Sequence, residues 1–93
     1  MAVLYEPSGR DQQCRPRNGK KFALDELQSL IGGYVEMVRI PGDAGRRVFF
    51  VDEEGRLKRL EPNVRASHLA GQLLVGNALL CSPKEVGRCT RLT

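Results

Sequence analysis

Two groups of residues in this 93-residue chain have the types and spacing that binding chemistry needs. The first follows Gly33, where alternation along a predicted strand places Glu36 on a face with apolar neighbours. Those neighbours are Tyr34, Val38 and Ile40. An unpaired carboxylate is costly to bury, so Glu36 either pairs with an arginine at the sheet's rim or faces a ligand. In the second interpretation Tyr34 supplies a stacking surface and Glu36 an acceptor.

The second group is the segment 63–67, where Asn63 is suited to cap a helix. The first backbone N–H groups of such a helix and the guanidinium of Arg65 predict a small anion site. Any capped helix with an early arginine would show this pattern, so a purely structural role is the alternative. The two groups together give our candidate ligand-binding residues: Tyr34, Glu36, Arg39, Asn63, Arg65 and Ser67.

The chain lacks the residue sets of the common catalytic sites. It has one histidine, His68, and no nucleophile elbow, glycine-rich phosphate loop or metal-spaced carboxylates. The carboxylates at 52–54 fall in a predicted hairpin turn, where solvated charge is usual. Three cysteines fit neither a disulfide framework nor a zinc site, which favours a reducing cytoplasm. We therefore expect a cytoplasmic protein that is not an enzyme and uses no cofactor or metal.

The formal net charge of +4 is concentrated at the two ends of the chain. Residues 1–21 carry five positive and two negative charges, residues 22–83 seven and eight, and residues 84–93 three and one. A duplex-binding domain usually concentrates its basic residues on one face, so this distribution does not favour nucleic acid as the partner. The sequence also has no apolar run long enough to cross a membrane and no secretion signal at its start.

Periodicity and turn residues predict one α+β domain over 1–93. We expect a small, mostly antiparallel sheet, or a partly closed barrel, of about five strands with two short helices. The core covers about 22–81, with a basic loop or weak edge strand at 10–21 and a basic tail at 84–93 that is helical for a turn or two. The predicted strands are 2–5, 34–40, 46–52, 56–60 and 72–81, and the predicted helices are 23–31 and 63–70, ended by Gly32 and Gly71.

Several short motifs, in order, resemble an uncharacterised family of small proteins found in bacteriophages, plasmids and conjugative elements. The motifs are Leu24-x-x-Leu27-Gln28-x-x-Ile31-Gly32-Gly33-Tyr34-Val35-Glu36, the turn Asp52-Glu53-Glu54-Gly55, the start Pro62-Asn63-x-Arg65-Ala66, and Val75-Gly76-Asn77. The resemblance covers about 22–81. The sequence departs from it at Ala23, where the family usually has serine or threonine. The resemblance implies a small, oligomeric product of a mobile element, encoded by a phage or a similar replicon.

By analogy, some small phage proteins without catalytic residues bind the cyclic nucleotide signals of bacterial immune systems and so silence them. We accordingly expect a homo-oligomer that sequesters a nucleotide-derived signal, of the cyclic nucleotide or cyclic ADP-ribose type, in the host cytoplasm. Two alternatives stay open. One is a nucleic-acid-binding accessory protein that uses its basic ends, and the other is a protein-interaction inhibitor of a host enzyme.

Overall fold

A computed structural model describes residues 2–86 and contains one open, five-stranded antiparallel sheet with two helices. The strand order is β2-β1-β5-β4-β3. This confirms the α+β prediction, in its open-sheet rather than its barrel form. The elements are β1 (Ala2–Tyr5), β2 (Asp11–Cys14), α1 (Leu24–Ile31), β3 (Val35–Arg39), β4 (Val48–Asp52), α2 (Val64–Ala70) and β5 (Ala78–Cys81).

The two helices lie on opposite faces of the sheet, and β4 contributes to both cores. Every residue of β4 is buried, and successive side chains point to opposite faces. Phe50 packs in a cluster with Leu27 and Ile31 of α1. Phe49 packs in a second cluster with α2. Burial of each phenylalanine contributes about 1.5–3 kcal/mol, which holds both helices against the sheet.

Local signals set the ends of both helices where the sequence predicted them. Gly32 and Gly71 end α1 and α2 in the left-handed conformation, with φ of 96° and 70°. The side chain of Asn63 caps α2 by accepting a hydrogen bond from the Ala66 N–H. At the start of α1 the family's usual hydroxyl is absent, and the Glu26 carboxylate instead accepts a hydrogen bond from the Ala23 N–H at 3.1 Å. Both predicted helices are therefore confirmed.

The predicted strand at 56–60 is wrong, because residues 53–59 form a continuous series of turns. The buried carboxylate of Asp52 accepts a hydrogen bond from the Glu54 N–H at 2.8 Å and pairs with Lys58 Nζ at 2.8 Å. These contacts turn the chain back directly after β4, so that it does not continue as a strand. Arg59 completes the turn with a φ of 56°.

The strand 2–5 is confirmed with its predicted bounds, and the strands predicted at 34–40, 46–52 and 72–81 are confirmed with shorter ones. Of the predicted strand 72–81, only Ala78–Cys81 forms a strand, in the centre of the sheet, while Val75 forms an isolated bridge with Pro62 and Gly76 makes the expected bend with a φ of 73°. Within 10–21, Asp11–Cys14 forms the predicted edge strand. At the tail, Pro83–Glu85 forms a 3-10 turn, and 87–93 lies outside the described residues. Neither helix in the described part has the length and apolar character needed to cross a bilayer.

Candidate functional site

A groove of about 580 Å³ lies beside β3, on the α2 face of the sheet. Its floor includes Val38 and Val51, and Glu36 stands directly across from Val51 in the strand register. The turn after β4 and the loop after α2 form its two walls. The wall residues are Gly55, Arg56 and Leu57 on one side and Gln72, Leu73, Leu74 and Val75 on the other.

The first wall is held in place by contacts of the turn 53–59 with the sheet and α1. Lys58 Nζ donates to the Asp52 carboxylate at 2.8 Å and to the Gly32 carbonyl at 3.3 Å. The Asp52 carboxylate raises the pKa of Lys58, so the Lys58 ammonium stays charged at neutral pH. At Gly55 a Cβ would lie 2.8 Å from a methyl group of Val75, so only glycine allows the two walls to meet there.

The second wall, formed by the loop after α2, depends on Asn63 and Ser67. Both residues were predicted from the sequence to contact a ligand. Asn63 is fully buried, and its side-chain amide donates to the carbonyls of Tyr5 and Gly76, both at 2.9 Å. The Ser67 hydroxyl accepts from the Leu74 N–H at 2.8 Å and lies 3.2 Å from the Leu74 carbonyl. The polar atoms of both side chains are therefore engaged within the fold, where they position the loop after α2.

Charged side chains of both signs line the groove without partners. Within residues 2–86, the side chains of Glu36, Arg39 and Arg56 form neither an ion pair nor a hydrogen bond. Glu36 projects from the α2 face of β3, as the alternation of the strand predicted. Arg39 lines the groove from the end of β3, while its position in the strand points its side chain toward the α1 face. Arg56 is therefore the cation best placed to meet an anion opposite Glu36.

Apolar side chains border the same groove. Leu57 is 82% exposed and Leu73 55% exposed, one on each wall, and Met37 of β3 is 38% exposed. Leu57 and Leu73, two of the six large exposed hydrophobic side chains of the described residues, thus line the groove, whereas Met37 adjoins it with its side chain on the α1 face of β3. Exposed apolar side chains grouped at one groove favour a binding site.

Tyr34 and Arg65 lie outside this groove. Tyr34, 65% exposed, lines a neighbouring depression with Gln28 and Lys58. Arg65 forms an ion pair with Asp11 at 2.7 Å, and its guanidinium lies 5.8 Å from the centre of the Tyr5 ring. The six predicted residues therefore divide among three places: Glu36 and Arg39 at the groove, Tyr34 beside it, and Asn63, Ser67 and Arg65 in or around α2.

Sequence reasoning missed three groove residues, Arg56, Leu57 and Leu73. The first two lie in the segment that was predicted to be a strand, and Leu73 was placed in the long apolar strand. The available signal was Leu57 itself, a single leucine among Arg56, Lys58 and Arg59. An isolated apolar residue between charged neighbours gives no strand alternation to bury it, which is typical of an exposed turn.

The described residues contain no cluster of metal ligands, and both of their thiols have raised pKa values. No group of three or more histidine, cysteine or acidic side chains within residues 2–86 could hold a metal ion. Cys81 is buried in the core, and burial raises the pKa of its thiol to about 12. Burial also raises the pKa of the half-buried Cys14 thiol. At neutral pH both thiols are therefore protonated and weakly nucleophilic.

A family model described as a domain of unknown function (DUF3846) matches residues 1–93. The chain belongs to this family. The match covers the whole chain, including the basic segment 10–21 and the tail, and so extends beyond the 22–81 range of the sequence motifs. Comparison with curated proteins and with solved structures found no match.

Proposed function

We propose that this DUF3846 protein is a non-enzymatic binding protein that holds a nucleotide-derived small molecule in the groove beside β3. One observation carries the proposal. Charges of both signs that have no partner within residues 2–86, on Glu36 and Arg56, share an open groove with the exposed side chains of Leu57 and Leu73.

A nucleotide has a chemical group for each side of this groove. Its phosphate would bind the guanidinium of Arg56, because arginine matches phosphate oxygens in a bidentate geometry. An amino or hydroxyl group of the base or ribose would donate to Glu36. The face of the base would pack on Leu57 and Leu73. The groove volume of about 580 Å³ lies within the range of about 300–1,000 Å³ that is usual for small-ligand sites.

The role we propose is sequestration. A protein that binds a signal without transforming it lowers the free concentration of that signal in proportion to the number of sites. We propose that the signal is a cyclic nucleotide or cyclic ADP-ribose made by a bacterial immune system. The chain would be a phage or mobile-element product that counters this defence in the host cytoplasm. The resemblance of its motifs to proteins of such elements supports this setting.

Isothermal titration against cyclic mono-, di- and trinucleotides and cyclic ADP-ribose isomers tests the proposal. We expect at least one compound to bind more tightly than millimolar. Glu36→Gln and Arg56→Ala should each weaken that binding about tenfold or more, since a hydrogen bond to a charged group contributes about 1.5–3 kcal/mol. Arg10→Ala, an exposed arginine in the turn between β1 and β2, is the matched control and should leave the affinity unchanged.

The alternative of nucleic-acid binding has one structural observation in its favour. The side chains of Arg15, Lys20 and Lys21 are exposed and form no ion pair within residues 2–86, whereas Arg17 pairs with Asp25 at 2.9 Å. Neutralising the three unpaired residues to glutamine tests this function without removing β1. If it is correct, affinity for a DNA duplex falls steeply with salt, and the triple variant shows a smaller salt dependence. A duplex affinity that the triple variant leaves unchanged would contradict it.

A further inference from the structure

The edge strand β3 has a row of unpaired backbone groups. The Tyr34 carbonyl accepts a hydrogen bond from the Glu53 N–H at 2.8 Å, which fixes the alternation along β3. By the same alternation, Glu36 and Val38 direct their N–H and C=O groups toward β4. Val35, Met37 and Arg39 therefore direct theirs away from the sheet. Within residues 2–86 no strand lies on that side of β3.

The two edges of the sheet differ in the residues that they expose. The other edge, β2, is a polar strand of four residues followed by Arg15 and Pro16. Over its five residues β3 carries two charges of opposite sign, Glu36 and Arg39, and its central residue is the partly exposed Met37. Charge is one of the usual protections of a free edge. Because these two charges differ in sign and lie on opposite faces of the strand, an antiparallel second copy of β3 can be aligned so that neither meets a like charge.

We propose that β3 pairs antiparallel with β3 of a second copy, about a two-fold axis at Met37. The two five-stranded sheets then form one continuous sheet. In this register Met37 faces Met37 of the second copy, Val35 faces its Arg39, and Glu36 faces its Val38. Every outward N–H and C=O group of β3 gains a partner.

The sequence of β3 selects this register over its symmetric neighbours. An axis at Glu36 would place that carboxylate opposite its own copy, and like charges directly opposite each other are destabilising. An axis at Val38 would place Val35 opposite Pro41, which has no N–H to donate. The axis at Met37 avoids both problems.

This pairing brings the second copy to the groove. Glu36 and Val38 line the groove, and the two-fold axis places them beside the same two residues of the second copy on the same face of the sheet. The two grooves then open into each other across the axis. This joined cleft suits a ligand with two equivalent halves, such as a cyclic dinucleotide. The choice of ligand rests on the proposed function. The strand pairing itself does not depend on any ligand.

Charge substitutions at Met37 test the register, because this residue faces itself. We expect the wild-type chain to sediment as a dimer in analytical ultracentrifugation. Met37→Glu and Met37→Lys should each sediment as monomers, since like charges then meet at the axis. An equimolar mixture of the two should restore the dimer, which also shows that both variants fold. Gln13→Lys places the same charge on the opposite edge, β2, and should leave the wild-type dimer intact.

A wild-type chain that stays monomeric up to millimolar concentration would overturn the proposal. A dimer that persists in the Met37 variants, or that Gln13→Lys disrupts, would overturn it as well, and so would a mixture that stays monomeric. The test is separable from that of the proposed function. A dimer that binds no nucleotide contradicts only the function, and a monomer that binds one contradicts only the pairing.

Discussion

Replacing Asn63 with alanine should destabilise the fold strongly. The Asn63 side chain is fully buried and bonds to three backbone groups in separate parts of the chain. Its amide donates to the Tyr5 and Gly76 carbonyls at 2.9 Å, and its oxygen accepts from the Ala66 N–H at 3.2 Å. One residue thus joins β1, α2 and the segment before β5.

The magnitude follows from those three hydrogen bonds. Loss of a helix cap costs about 1 kcal/mol. Each of the two carbonyls left without its donor costs about 1 kcal/mol more. The total of about 3 kcal/mol is a large part of the roughly 5–15 kcal/mol that stabilises a typical domain. For a chain of this size it corresponds to a decrease in Tm of about 12–24 °C.

Urea denaturation followed by circular dichroism measures this change. The transition midpoint should fall while the slope m stays the same, as a loss of stability alone requires. Asn77→Ala is the matched control, because within residues 2–86 its amide makes a single hydrogen bond, to the Leu30 carbonyl at 3.0 Å. We expect about 1 kcal/mol there. Equal losses in the two variants, or a loss below about 1 kcal/mol for Asn63→Ala, would refute the structural role.

Two further predictions concern the ion pair beneath the groove and the thiols. The stabilisation from Lys58, whose pKa is raised by Asp52, is present below the ordinary lysine pKa of about 10.5 and is lost as pH rises through the higher folded value. Lys58→Met should therefore unfold at a lower urea concentration than wild type near neutral pH. As the pH rises above about 10.5, the variant should lose less stability than wild type. Parallel curves of stability against pH for the two proteins would contradict this. Peptide mapping after thiol labelling of the native protein should show little modification of Cys81, whose pKa is about 12, and more of the partly exposed Cys14. Equal labelling of the two would contradict the burial of Cys81.

The elements that the sequence predicted well are those whose signals are local. A cap at Asn63 and left-handed ends at Gly32 and Gly71 are set by the residues themselves, so both helices fall where periodicity places them. The strand β4 is recognisable because an unbroken apolar segment can be buried on both faces.

The failures come from contacts between distant segments. The turn 53–59 depends on Lys58 reaching the Gly32 carbonyl, 26 residues away along the chain. The engagement of the Asn63 amide depends on the Tyr5 carbonyl, 58 residues away. Neither contact leaves a periodic pattern in the sequence. The groove has the same origin, since Leu57 and Leu73 reach it from separate loops, and only Glu36 was placed on its face by strand alternation.

The central claim is that the groove at Glu36 and Arg56 retains a nucleotide-derived molecule. Mass spectrometry of the small molecules released by heating tests it most directly. The wild-type chain and the Glu36→Gln, Arg56→Ala double variant would be purified in parallel from bacteria with an active cyclic-nucleotide signalling system. We predict a nucleotide-derived compound in near-stoichiometric amount from the wild-type protein and little from the variant. No such compound from the wild type, or equal amounts from both proteins, would contradict the claim.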